Sequence, residues 1–332
     1  MDQKLILSPS PHIHSGDSIQ KNMYHVLIAL VPAFLVMVYQ FRLQAVWITA
    51  LAAISCLITE WVITKYLMRR TLYVFDGSAL LTGVLLAFNL PASLPWWLVV
   101  LGSVVAIGIG KMAFGGLGNN VFNPALVGRV FLLISYPAQM TTWPVPASLA
   151  SQVDGSTMAT PLAVMKGVIH GMPASGNGSN IWDLALGLMP GSMGETAAIA
   201  LLLGFGYMLV RRIITWHTPV AIFAGVVLVG GLTHLINPSL YPSISFHLLS
   251  GGLMLGAIFM ATDYVTSPIT PRGQLIYGFA IGVITVIIRL FGSYPEGMSF
   301  AILIMNAFTP LINNYVKPKH FGHIRQRKEK AQ

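Results

Sequence analysis

Charge is nearly absent from this chain, and that absence constrains it more than any motif. Only 9% of its 332 residues are Asp, Glu, Lys or Arg, while 55% are hydrophobic. A soluble globular domain carries about 25% charged residues, too many more for this composition to cover a water-facing surface. Apolar runs of about 20 residues recur along the length, so the chain reads as an all-α polytopic membrane protein. About ten transmembrane helices are expected, at residues 24–41, 43–67, 77–90, 97–112, 120–136, 195–211, 217–236, 246–263, 275–291 and 298–315.

Two of these segments are short for a bilayer. The third opens at Asp76-Gly77-Ser78, a helix-start signal, and closes at Asn89-Leu90-Pro91. The fifth follows the glycine-rich entry GGLGNNVFNP (115–124). Half-length helices inside a membrane surround sites, because loose backbone at that depth needs protein, ligand or water to satisfy it.

The 19 Lys and Arg residues set the orientation. With the N-terminus in the cytoplasm, nearly all of them fall on the cytoplasmic side; only Arg42, Lys166 and Arg289 fall outside, and Arg129 lies within a segment. This imbalance supports cytoplasmic N- and C-termini. The chain then divides into a first membrane half of five spans (1–136), an outer-side loop (137–194), a second half of five spans (195–316) and a basic tail (317–332). Five spans per half would make the halves inverted repeats with broken half-helices, and the Asp-headed stretches FDGSAL (75–80) and ATDYVTSP (261–268) fit that pattern. The net charge of +9 belongs to loops and tail. The tail reads as a cytoplasmic segment against anionic lipid, with no nucleic-acid role.

Several chemistries are excluded or weakened. The single cysteine, Cys56, allows no intramolecular disulfide and no iron–sulfur ligand set. Residues 1–23 lack the apolar core of a cleavable signal peptide. His12 and His14 form an HxH pair with nothing nearby to complete a metal site, and no metal is expected. No P-loop or dinucleotide fingerprint is present, so NAD is not expected to bind this chain.

Four groups invite attention inside the spans. Arg129 lies mid-segment and requires an acidic partner or a polar cavity. Glu60 suits pairing with a loop lysine. Asn120 and Asn123 offer amide donors and acceptors, and Asp76 and Asp263 can meet hydroxyls, an N–H or a cation. These four also suit helix capping. Trp96, Trp97, Trp143, Trp182 and Trp216 lie near expected membrane edges, as an aromatic belt would; Trp143 and Trp182 bracket the outer loop.

That loop contains DGSTMATPL (154–162). Locally, Thr160 reads as an N-cap, with Pro161 at the first helical position of a short helix. The start of such a helix favours an anion. The stretch also resembles the covalent flavinylation motif of the membrane flavin subunits in Rnf and Na⁺-translocating NADH:quinone reductase complexes. That motif is an acidic residue followed by Ser/Thr-Gly-Ala-Thr. Asp154 stands at the acidic position, Thr157 at the Ser/Thr position, Ala159 at the alanine and Thr160 at the attachment point; Met158 replaces the usual glycine. SPSPHIHSGDSIQKNMYHVLIALVPA (8–33), DGSALLTGVLLAFNLP (76–91), GGLGNNVFNPALVGRVFL (115–132) and GAIFMATDYVTSPITPRGQLIYG (256–278) extend the likeness over most of the chain, and what they resemble is the RnfD/NqrB family of membrane subunits, its RnfD branch above all.

The resemblance implies a subunit of a redox-driven ion translocase in the bacterial inner membrane. It implies FMN joined to Thr160 by a phosphoester on the outer face, and non-covalent riboflavin nearer the cytoplasmic half, for which Asn120, Asn123, Asp76 and Asp263 are the candidates. It further implies electron transfer between ferredoxin and NAD pools, coupled to Na⁺ or H⁺, with the Rnf subunits A, B, C, E and G as partners and a flavin transferase acting during maturation. Two other classes compete. A secondary transporter or channel predicts transport without flavin, and a scaffold predicts that Thr160 is dispensable.

Overall fold

The computed structural model describes residues 18–69, 76–146, 157–172, 181–195 and 198–318. His12, His14, Asp154 and nearly all of the basic tail lie outside the described residues. The architecture is all-α apart from one two-residue ribbon. Helices α1 (Ile19–Phe41) and α2 (Leu43–Val62) meet at Arg42, whose φ of 53° makes the reversal in a single residue. Helix α2 runs on through a π turn to Leu67. Then come α3 (Ser78–Phe88), α4 (Trp96–Gly108), which continues through a 3-10 turn, and α5 (Pro124–Ser135). The region that follows α5 holds α6 (Pro137–Met140), strand β1 (Trp143–Pro144), strand β2 (Thr157–Met158), α7 (Pro161–Ile169) and α8 (Ile181–Leu186). The rest comprises α9 (Ala198–Val210), α10 (His217–Ile236), α11 (Ile244–Leu249), α12 (Leu253–Leu255) running into a π turn over Gly256–Met260, α13 (Pro271–Phe291) and α14 (Met298–Tyr315).

The expectation of about ten spans is overturned. Among the described residues, five helices are long and apolar enough to cross a membrane: α1, α2, α4, α10 and α13. The reason lies in the five other apolar runs. Helices α3, α5 and α9 hold 11, 12 and 13 residues, which at 1.5 Å per residue is roughly 16–20 Å, well short of a hydrocarbon core about 30 Å thick. The run 246–263 is broken at Ser250-Gly251-Gly252, where Gly251 takes a φ of 69°. Helix α14 carries Asn306, Thr309, Pro310, Asn313 and Asn314 along an otherwise apolar sequence. The two inverted five-helix halves, which needed ten spans, fall with that count.

One large apolar core joins α1 to α14. It runs through Leu30 and Met37 of α1, Leu86 and Phe88 of α3, Leu126 and Leu132 of α5, and on to Met260 and Ile302. Three helix starts share one device: Asn123-Pro124, Thr160-Pro161 and Thr270-Pro271. Each places a side-chain oxygen on an orphan N–H, and a proline where no N–H is needed. Trp96, Trp97, Trp182 and Trp216 are exposed on helices or at their ends, as a membrane-edge belt requires.

Helices α10 and α13 pack backbone against backbone. A Cβ on Gly278 would stand 2.6 Å from the Thr218 carbonyl oxygen, and one on Gly282 would collide with the Ile222 carbonyl. Small residues allow this approach and so give dispersion contact where lipid offers no hydrophobic drive. Gly282→Val is therefore expected to cost about 1–3 kcal/mol by overpacking, seen as a lowered thermal midpoint in lipid nanodiscs. Gly206→Val, at a glycine with open space around it, should leave the midpoint nearly unchanged.

Candidate functional site

The ribbon β1–β2 leads directly into Thr160. Trp143 pairs with Met158 and Pro144 with Thr157, antiparallel. Just beyond β2, Thr160 caps α7, its Oγ1 accepting from Ala163 N–H at 3.2 Å. Helix α7 is tied down in turn by Lys166, whose Nζ donates to the carbonyls of Gly292 and Tyr294 beyond α13. Thr160 is 8% exposed. It lines a cavity with Ala159, Trp143, Tyr294, Arg129, Glu195 and Glu296, among others. Thr157 is exposed on β2 and does not line this cavity.

The cavity floor is charged. Arg129, on α5, is buried and donates to Asn89 Oδ1 and Ser299 Oγ, both at 2.8 Å. Its acidic partner, which the sequence required without identifying, is Glu195 at 3.7 Å. Glu195 stands in the turn before α9. That turn is held by the backbone of Met193 and Gly194 donating to the Leu90 and Phe88 carbonyls at the end of α3. Glu296, between α13 and α14, lies 3.5 Å from Arg289 and accepts from Gly252 N–H at 2.8 Å. Arg289 donates to the His247 and Ser250 carbonyls, 2.7 and 2.9 Å away. The break between α11 and α12 thus exposes backbone groups that this ion pair satisfies. Burial, and then the negative charge of Glu296, raises the Glu195 carboxyl to about 7. Burial alone would also raise Glu296, but Arg289 and Arg129 hold it below the usual carboxylate range.

A second cavity opens at the other end of α5. It is lined by Asn120, Asn123 and Asp263 together with Ser78, Lys111 and Phe259. Asn123 is committed: its Oδ1 accepts from Ala125 and Leu126 N–H, and its Nδ2 donates to the Met260 carbonyl at 3.2 Å. Asn120 donates to the Phe122 carbonyl, but its buried Oδ1 has no partner. Asp263 accepts from the Thr266 hydroxyl, from backbone N–H groups and from the Asn120 amide. Asp76 does not line the cavity. It stands behind Ser78, accepting from the Ser78 N–H and hydroxyl at 2.9 and 2.6 Å. Lys111 donates to Ser78 Oγ at 2.7 Å and to Glu60 Oε1 at 2.6 Å. The lysine expected to meet Glu60 is therefore Lys111, and the pair is buried.

The sequence grouped Asn120, Asn123, Asp76 and Asp263 and, separately, Asp154, Thr157, Ala159 and Thr160, with Arg129 left unassigned. The structure puts Asn120, Asn123 and Asp263 on one cavity and Ala159, Thr160 and Arg129 on another, while Asp76 and Thr157 line neither. Sequence reasoning missed Glu195, Glu296, Arg289 and Lys111. With only 10 acidic residues in the chain, each carboxylate at a span edge was a signal, but spacing could not say which one reaches Arg129.

Half-length helices, broken backbone satisfied by buried ion pairs, and two largely apolar cavities that carry a few polar side chains beside one short helix define a polytopic membrane protein built to hold polar groups within its core. Comparison with known proteins narrows the class. The model of the NQR2, RnfD, RnfE family matches residues 6–322. The D subunit of the Na⁺-translocating ferredoxin:NAD⁺ oxidoreductase complex of Acetobacterium woodii is 46% identical, over 98% of each chain. The D subunit of the proton-translocating ferredoxin:NAD⁺ oxidoreductase complex of Clostridium ljungdahlii is 40% identical, over 95% of this chain and 96% of that one. The D subunit of the ion-translocating oxidoreductase complex of Stutzerimonas stutzeri is 38% identical, over 92% of each. The chain belongs to the NQR2, RnfD, RnfE family. It is an inner-membrane subunit of a Rnf-type, ion-translocating oxidoreductase complex.

The Glu60–Lys111 pair supplies a direct test of the interior. Lys111→Met strands the Glu60 carboxylate, and removing one member of a buried pair costs about 3–5 kcal/mol. Lys111→Met combined with Glu60→Gln is expected to recover most of that loss. Thermal unfolding of the two variants in nanodiscs checks the difference.

Proposed function

We propose that this chain carries flavin for its complex and passes electrons between the ferredoxin and NAD pools, coupled to Na⁺ or H⁺ movement. FMN would be held at Thr160 by a phosphoester to Oγ1, with Asp154, Thr157 and Ala159 completing the motif read by a flavin transferase. The observation that carries this reading is the placement of Thr160. Its side chain caps α7, where free N–H groups favour a phosphate, and it borders a cavity with aromatic and apolar walls and a guanidinium on its floor. Trp143, Tyr294 and Leu133 suit the faces of a flat ring; Arg129 suits negative charge on it. A bound flavin supplies one- and two-electron exchange, and the protein's share is to position it and set the surrounding charge.

Riboflavin, held without a covalent bond, is assigned to the cavity at the start of α5. The unpartnered Asn120 Oδ1 supports this, because a ring or ribityl donor would satisfy it. Asp263 borders the same space, Asn123 orients the helix start, and Asp76 holds Ser78 at the wall. The two cavities sit on one helix of 12 residues, about 18 Å long at 1.5 Å per residue. That arrangement suits passage of electrons from one end of α5 to the other.

The distribution of Lys and Arg supports cytoplasmic termini with the Thr160 loop on the outer side. The partners in this reading are the Rnf subunits A, B, C, E and G, and membrane lipid.

Two measurements test the reading. The chain co-expressed with a flavin transferase should fluoresce in a denaturing gel, and Thr160→Val should fall to background. A dark parent band, with the transferase active on another substrate, would sink the assignment. For the second cavity, Asn120→Leu removes a hydrogen bond worth about 1 kcal/mol. Flavin released on denaturation of the purified protein should then reflect retention weakened about fivefold to tenfold, with the covalent signal unchanged.

A further inference from the structure

The floor of the Thr160 cavity carries more charge than flavin attachment requires. Arg129 and Arg289 face Glu195 and Glu296, yet both ion pairs are loose, at 3.7 and 3.5 Å. Each arginine spends its shorter bonds elsewhere: Arg129 on Asn89 and Ser299, Arg289 on the His247 and Ser250 carbonyls. Glu195 also accepts from the Ser192 N–H at 3.2 Å, and Glu296 from the Gly252 and Met298 N–H groups; the two carboxylates converge. A Cβ placed on Gly252 would lie 3.4 Å from an Arg129 terminal nitrogen, 3.6 Å from Glu195 Oε1 and 3.9 Å from Glu296 Cδ. Gly251 keeps the space open with its positive φ, since a side chain there would strike Glu296, Leu162 and Arg289. Two carboxylates meeting in a buried space do not both ionise freely, and the pair titrates as a unit.

The groups facing Glu195 are Arg129 on α5 and Glu296 from the α13–α14 connection, with Arg289 of α13 behind it. His247 on α11 lies against Arg289. Lys166 on α7 is committed to the Gly292 and Tyr294 carbonyls. Glu195 itself borders the cavity that Thr160 borders, and both connecting segments lie outside the five long helices.

We propose that Glu195, working with Glu296, is a redox-linked proton site of the Thr160 cavity. It binds a proton when negative charge enters that cavity and releases it when the charge leaves. This rests on the reading that Thr160 carries flavin. An electron delivered by a one-electron centre outside this chain adds one negative charge beside the floor. One proton then passes from a solvent hydronium ion, whose O–H bond breaks to leave water, to a Glu195 carboxylate oxygen, where a new O–H bond forms, so the net charge of the cavity is unchanged. Withdrawal of the electron reverses both steps. Burial and the converging Glu296 carboxylate hold the Glu195 carboxyl raised, so negative charge added to the cavity favours its protonated form. Arrival of an electron is thereby tied to a proton movement at a named side chain.

The test uses the full-length flavinylated chain in nanodiscs. The potential of the covalent flavin is titrated over about two pH units on either side of neutrality, with redox-difference infrared spectra taken alongside. In the parent, the potential should break with pH near neutrality, and reduction should bring up a protonated-carboxyl band. Glu195→Gln should remove the band and flatten the break. Glu195→Asp should keep both. Glu296→Gln removes the like charge that raises Glu195, so its break should move to lower pH by about one unit, a tenfold change in proton affinity. In-gel fluorescence separates the two levels of the argument. A dark parent overturns the flavin reading and this inference together. A fluorescent Glu195→Gln that keeps the parent's band and break overturns this inference alone. If that variant does not load flavin, an unmoved break in Glu296→Gln overturns it.

Discussion

The structure depends on how one buried arginine is satisfied. Arg129 sits midway along α5, and a guanidinium held within a membrane protein demands partners because its hydration is lost. It draws them from three separate parts of the chain: Asn89 at the end of α3, Ser299 at the start of α14 and Glu195 before α9. Those contacts fix the end of α3, the entry to α9 and the start of α14. They let α3 end and α9 begin inside the protein, where no water meets the freed backbone.

The same rule governs the break between α11 and α12. Ser250, Gly251 and Gly252 leave helical geometry there, and lipid could not hydrogen-bond their freed groups. Arg289 takes the His247 and Ser250 carbonyls, and Glu296 takes the Gly252 N–H. At the other end of the molecule, Lys111 joins α4's continuation to Glu60 on α2 and Ser78 on α3. Charge is scarce in this chain, and much of it that lies inside serves to close off irregular backbone. The cavities form at these places because irregular backbone cannot pack as densely as helix against helix.

Some of this was legible in sequence. The short third and fifth segments, the Asp76-Gly77-Ser78 start, the Thr160-Pro161 cap and the demand of Arg129 for an acid all follow from local rules of capping and solvation. The number of spans did not follow. Apolar composition marks a run as buried or lipid-facing without distinguishing the two, so runs that lie within the protein were counted as crossings. The run 246–263 shows this best. Its residues are apolar, yet a glycine pair turns it into two short pieces and a π turn, a choice made by the ion pair packed against it. Asp76 and Asp263 share an N-terminal flag in sequence, but only Asp263 borders the cavity; Asp76 is one residue layer behind.

By itself the sequence determined the class of protein, since so few charges leave a membrane as the only solvent for most of the surface. It also determined the helix starts, because a cap followed by proline is decided within four residues. Tertiary structure alone decided which apolar runs cross, which carboxylate meets Arg129, and that Thr160 and Glu195 border the same space. Those are contacts between residues far apart in the chain, where desolvation and packing select the partner and sequence spacing carries no record of it.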